Sequence, residues 1–176
     1  MITKWNFQTP TEEELHKRDR LASQLGLSPV VCLLLVQRGL TTVEEVKKFF
    51  KPSLNDLHDP FLMPDMEKAV KRLNKALGNK EKILIYGDYD VDGTTAVSLV
   101  YKYLRPYSSA LDYYIPDRYD EGYGISYKGI NYARENGITL VISLDCGIKA
   151  IEKIEYAKQL GIDFIICDHH MPDDTL

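Results

Sequence analysis

Four apolar runs of strand length, Ile83–Tyr86, Leu111–Ile115, Leu140–Leu144 and Phe164–Cys167, alternate with helical patterns. Thr95–Leu104 is mostly apolar. Ser126–Glu135 is followed by Gly137. Ile148, Ile151, Ile154, Ala157 and Leu160 mark a further helix that Gly161 ends. Unbroken hydrophobicity suits strands covered on both faces, as in a parallel sheet. The alternation predicts an α/β fold, a parallel sheet with helices on both faces. Right-handed crossovers then bring the C-terminal ends of the strands to one edge, where such sheets bind ligands.

The chain before this pattern reads differently. Thr11-x-x-Glu14 and Thr42-x-x-Glu45 are capping-box signatures, and Ser28-Pro29 reads as an N-cap with proline at the first helical position. Three short helices are expected, ending near Gly26, Gly39 and Phe50. Pro52, Pro60 and Pro64 break the pattern and place a boundary near residue 60. The expected organisation is a helical N-terminal arm, 1–60, and an α/β domain, 61–176. Met66, Val70, Leu73 and Leu77 then mark a helix ended by Gly78.

With 176 residues, 44% of them apolar and 27% charged, the composition is that of an ordinary globule. A formal charge of −4 excludes nucleic-acid binding by bulk charge, though not by a local groove. Three cysteines without CxxC spacing argue for a reducing cytoplasm rather than a disulfide framework. The first residues lack an apolar signal core, and no apolar run reaches the ~20 residues of a membrane span.

Three of the strands run into acid. The first gives Asp88-Tyr-Asp90-Val-Asp92-Gly93, the third Asp145-Cys-Gly147, the fourth Asp168-His169-His170. Carboxylates two apart in extended chain point the same way, and like charges that close need a cation among them. Carboxylate and imidazole together suit manganese, magnesium or iron better than a structural zinc. Each cluster alone reads equally well as turn and cap residues; the topology that gathers all three favours a metal site. Gly93 and Thr94 open a helix whose N–H groups suit a phosphate, with a tight turn as the plain alternative. Arg118 on the same rim suits a phosphate clamp. No P-loop and no GxGxxG occurs.

Asp88-x-Asp90-x-Asp92-Gly93, Asp145 and Asp168-His169-His170 resemble the first motifs of the DHH phosphoesterase family. Lys4-Trp5, Arg38-Gly-Leu40, Phe49-Phe-Lys-Pro52, Leu57-x-Asp59-Pro60 and Pro116-x-Arg118-x-x-Glu121-Gly-Tyr-Gly124 resemble the amino-terminal part of its single-strand-specific exonucleases. The resemblance implies 5′–3′ hydrolysis of single-stranded DNA in recombination and repair, with two Mn2+ or Mg2+ ions. It makes Asp90, Asp92, Asp145 and His169 metal ligands, with Asp145 between the ions. Asp88 becomes a ligand or supporting acid, His170 faces the scissile phosphate, and Asp168 orients an imidazole. The family pattern calls for a further metal-binding aspartate and a second domain, so the chain reads as part of a longer protein, with little activity of its own and with most DNA contacts elsewhere. Oligomeric state is open.

Other readings remain. Asp90-Val-Asp92-Gly93-Thr94 also fits the nucleophile motif of haloacid-dehalogenase-like phosphatases, with Asp90 phosphorylated. Another DHH phosphoesterase would act on oligoribonucleotides or small phosphodiesters. A receiver-like sensing module, not an enzyme, would hold one ion at most.

Overall fold

The computed structural model describes residues 4 and 8–174. Trp5, half of the Lys4-Trp5 pair, lies outside the described residues. The chain divides into two compact units, Met1–Leu62 and Met63–Leu176.

The first unit holds α1 (Glu12–Leu25), α2 (Pro29–Gln37) and α3 (Val43–Phe50). Both capping boxes close. The Glu14 N–H donates to the Thr11 hydroxyl oxygen at 3.2 Å, and the Thr11 N–H donates to the Glu14 carboxylate at 2.7 Å. Thr42 and Glu45 repeat the exchange at the start of α3. Ser28 precedes Pro29 as expected, but its side chain makes no cap bond. Gly26 ends α1 at φ 65°, a left-handed conformation that glycine adopts without steric cost. Leu21, Cys32, Leu35, Val36 and Val46 form the core of this unit.

The second unit runs α4 (Met66–Gly78), β1 (Ile83–Gly87), α5 (Val91–Leu104), β2 (Leu111–Tyr114), α6 (Tyr127–Glu135), β3 (Leu140–Leu144), α7 (Ile151–Gln159), β4 (Asp163–Cys167). The strands lie in the order β2-β1-β3-β4, and every neighbouring pair is parallel. This is the expected α/β sheet. The central strands β1 and β3 are buried at all five positions, which is why their sequences do not alternate. Leu84, Tyr86 and Val141 face one side with Ile130, Ala133 and Ala157 of α6 and α7. Ile83, Ile85, Leu140 and Ile142 face the other with Ala76, Val97 and Leu104 of α4 and α5. Each such aliphatic side chain contributes about 1.5–3 kcal/mol of hydrophobic stabilisation.

Helix α5 starts earlier than its apolar pattern suggests, at Val91 inside the acidic run. Asp90 is its N-cap, and its carboxylate accepts the Gly93 N–H at 2.9 Å. Asp88, Asp90 and Asp92 are therefore not an extended alternating series. Asp88 is fully buried after β1, Asp90 caps the helix, and Asp92 lies exposed in its first turn. Such an early start needs close approach of helix to strand. A Cβ on Gly93 would lie 2.5 Å from the Asp88 carbonyl oxygen, and one on Gly87 2.9 Å from the Gly93 oxygen.

At the N-terminal ends of the strands, Arg72 of α4 ties the sheet together. Its Nε donates to Asp163 at 2.6 Å and its Nη2 to Glu81 at 2.8 Å. Glu81 also accepts the Thr139 hydroxyl at 2.7 Å. Among the described residues, no helix is long and apolar enough to cross a membrane.

Candidate metal centre

The register of the sheet places the acids at the opposite edge. Gly87 of β1 pairs with Leu144 of β3, and Leu144 with Cys167 of β4. The next residue on each strand is an aspartate: Asp88, Asp145 and Asp168. Adjacent strands lie about 4.8 Å apart, so sequence-distant acids become neighbours through backbone hydrogen bonding alone.

These aspartates have different surroundings. Asp88 is fully buried, with one carboxylate oxygen 3.5 Å from the Gly124 N–H and the other without a hydrogen-bond partner among the described residues. Asp145 has φ 60°, a left-handed conformation rare for a non-glycine residue and common at functional sites. Its carboxylate lies 3.0 Å from His169 Nε2. Asp145, His169 and His170 each offer a ligand atom, and these atoms lie within 4.8 Å of one another. His169 is 75% exposed at its side chain, whereas Asp145 is only 10% exposed, so the imidazole stands outward over a recessed carboxylate.

Asp168 works inward. One oxygen accepts the Ile148 N–H at 3.0 Å; the other accepts the His170 N–H at 3.1 Å and lies 2.7 Å from His170 Nδ1. Burial alone would raise the Asp168 pKa, but the two backbone N–H groups and the His170 ring outweigh it and lower it. His170 is shifted up, chiefly by its hydrogen bond to Asp168. Asp90 belongs to the same neighbourhood. The Cys146 thiol is pushed up to about 12, first by burial and then by the charges of Asp88, Asp168, Asp145 and Asp90.

The loop after β2 covers the cluster from the side. Tyr86 donates its hydroxyl to the Gly124 carbonyl at 2.9 Å and accepts the Ser126 N–H at 3.0 Å. Glu121 accepts from Tyr114, from the Ser126 hydroxyl and from the Asp117 N–H. Held by these bonds, the loop presents Tyr123, whose hydroxyl donates to the Asp145 carbonyl at 3.1 Å. The Arg118 guanidinium lies 5.2 Å from the centre of the Tyr89 ring, and Tyr89 meets Tyr123 edge to face.

The structure thus brings Asp88, Asp145, Asp168, His169 and His170 together, with Asp90 near enough to act on them electrostatically. Asp92 is at the exposed start of α5 and makes no bond to the cluster among the described residues. Gly93 and Thr94 are occupied within the cap of α5. The Gly93 N–H goes to Asp90, and the Thr94 hydroxyl donates to the Asp90 carbonyl at 2.6 Å. Arg118 is exposed and makes no ion pair among the described residues. Tyr123 and Tyr89 were not singled out from sequence. The available signal was the Gly-Tyr-Gly triplet, whose glycines have φ 79° and 80° and turn the intervening tyrosine toward the acids.

The chain resembles known proteins over most of its length. The chain is 40% identical over 173 residues to the single-stranded-DNA-specific exonuclease RecJ of Bacillus subtilis, covering 98% of this chain and 22% of that protein. It is 34% identical to RecJ of Escherichia coli, covering 85% of this chain and 26% of that one. The chain therefore spans about a quarter of the length of the curated relatives it matches. A crystal structure of exonuclease RecJ bound to manganese matches at 30% identity and TM-score 0.59, over 65% of this chain and 30% of that one. RecJ from Thermus thermophilus in complex with Mn2+ matches in fold at 24% identity and TM-score 0.68, over 92% of this chain and 22% of that one. The family model described as the DHH family, N-terminal domain, matches residues 82–176, the stretch that holds the sheet and all the acids, which sets aside the haloacid-dehalogenase-like reading of Asp90. On that match, covering more than half of its length, the chain belongs to the DHH family.

Proposed function

We propose that this chain carries the metal-holding part of a phosphodiester hydrolase that degrades single-stranded DNA from the 5′ end, in recombination and repair. The observation that carries the reading is the convergence of Asp145, His169 and His170 within 4.8 Å, beside a buried Asp88 oxygen that has no partner among the described residues. A buried, unpaired carboxylate oxygen costs free energy unless a cation or donor meets it. Carboxylates with imidazole fit Mn2+ or Mg2+ by donor chemistry, and the RecJ proteins that resemble this chain bind manganese.

In this reading Asp90, Asp92, Asp145 and His169 would hold two divalent ions, and the buried Asp88 would support them as a neighbouring acid. Such ions supply Lewis-acid activation of the phosphodiester and of water. The residues of the chain do the remaining work. Asp168 fixes the His170 ring through Nδ1, leaving Nε2 to donate to a phosphate oxygen as charge develops. Arg118 engages a backbone phosphate while keeping its stack on Tyr89. The protein works in the cytoplasm, on a substrate carried largely by parts of the protein outside this chain.

The test is digestion of end-labelled single strands by the intact protein with Mn2+. Asp145→Ala is expected to abolish nucleotide release from the 5′ end. Undiminished release, or equal attack on duplex DNA by the unaltered protein, is incompatible with the proposal.

A further inference from the structure

We infer that Tyr123 is a positioning residue, one whose hydroxyl fixes the Asp145 backbone and so sets where the Asp145 carboxylate and the His170 ring stand. The inference rests on the metal-dependent reading above and adds a residue to it.

Three observations carry it. First, the Tyr123 hydroxyl has one proton, and it donates that proton to the Asp145 carbonyl oxygen at 3.1 Å. Asp145 is the acid at φ 60°. A non-glycine residue stays in that conformation only where its surroundings hold it there. The strand contact from the Asp145 N–H to the Cys167 carbonyl, 2.9 Å, holds one side of the residue. Tyr123 holds the other.

Second, the same hydroxyl lies 3.5 Å and 3.4 Å from the two ring nitrogens of His170, and the two rings meet edge to face at 5.9 Å. The oxygen is nearly equidistant from both nitrogens, so it makes no single directed bond to either. It acts as a stop against which the imidazole rests, while Asp168 holds the ring at Nδ1, 2.7 Å away. Third, the loop that carries Tyr123 is built to hold it still. Gly124 is bonded to Tyr86 and lies against Asp88, and Glu121 gathers three donors two residues earlier.

A hydroxyl acting through the ligands has effects that a substrate contact would not. Groups that orient metal ligands are worth about 10–100-fold in metal affinity or activity when lost. Tyr123→Phe keeps the ring and removes only the strut. The experiment measures Mn2+ binding by calorimetry, and steady-state cleavage of labelled single strands, on the intact protein and on Tyr123→Phe. Expected are Mn2+ affinity and kcat each lowered about tenfold, with KM for the strand and the thermal midpoint unchanged. A raised KM with unaltered Mn2+ affinity overturns the inference in favour of direct substrate contact. Equal Mn2+ affinity and kcat in both proteins overturn it outright. Absence of Mn2+ binding in the unaltered protein overturns the proposed function itself, a result distinguishable from the other two.

Discussion

The two ends of the strands in the α/β unit use carboxylates to opposite effect. At the N-terminal ends, Arg72 sits between Glu81 and Asp163, and Thr139 completes the set. At the C-terminal ends, Asp88, Asp90, Asp145 and Asp168 gather with two histidines, and no lysine or arginine ion pair reaches any of them among the described residues. The first arrangement sets a guanidinium between its two carboxylates and holds α4 to the sheet. The second is unfavourable electrostatically unless a cation joins it. A fold retains such a conflict where it is used, and the rest of the structure offsets it.

The comparison can be broken most directly at Asp145. In the intact protein, Asp145→Asn is expected to lower nucleotide release at least about a thousandfold, roughly 4 kcal/mol of barrier, without lowering the thermal midpoint. A clear drop in thermal stability with activity kept would reverse the roles assigned to the two edges. Next in size is Gly93→Ala. Its Cβ would meet the Asp88 backbone at 2.5–2.8 Å, so β1 and α5 must separate, at a cost of about 3 kcal/mol. A denaturation midpoint within error of the unaltered protein would show that the helix start tolerates displacement.

At the edge held by Arg72, Arg72→Met is expected to destabilise by about 2 kcal/mol, because Glu81 loses its cation while still half-buried. Metal affinity and kcat should stay the same; a matching fall in either would mean that the two edges are coupled. The smallest effect is in pH. Glu81 has its pKa lowered from 4.5, first by the Thr139 hydroxyl and also by Arg72, against the opposing pull of burial. A carboxyl lowered in the folded state contributes stability above its unfolded pKa, and that contribution fades as pH falls through the folded value. Urea midpoints of the unaltered protein should thus decline below about pH 4.5 more steeply than those of Glu81→Gln. Parallel curves would remove Glu81 from the account.

Much of this was legible in the sequence, for physical reasons. Strands buried on both faces announce themselves as unbroken apolar runs, so β1 and β3 were plain. Their alternation with helices specified a parallel sheet, and with it the edge where the acids meet. Capping boxes at Thr11 and Thr42 were legible because the bonds are local. The start of α5 was misjudged because apolar periodicity begins at Thr95, while a side-chain cap from Asp90 begins the helix at Val91. The Gly93 N–H looked available for phosphate in sequence and is taken by that cap. Tyr123 was missed because its partners, Asp145 and His170, lie 22 and 47 residues away. Nothing in a local pattern records a bond of that span.

The pairing of Gly87 with Leu144, and of Leu144 with Cys167, has a consequence for how such a protein can change. The hydrogen-bonded ladder serves as a ruler, and the side chains beneath it are largely interchangeable filling. Apolar residues under the sheet can drift while the distance between Asp88 and Asp145 stays the same. A single inserted residue anywhere in β3 would instead carry Asp145 past its neighbours and turn its side chain to the other face. Lineages of this protein should therefore vary freely in core identity and hardly at all in strand length.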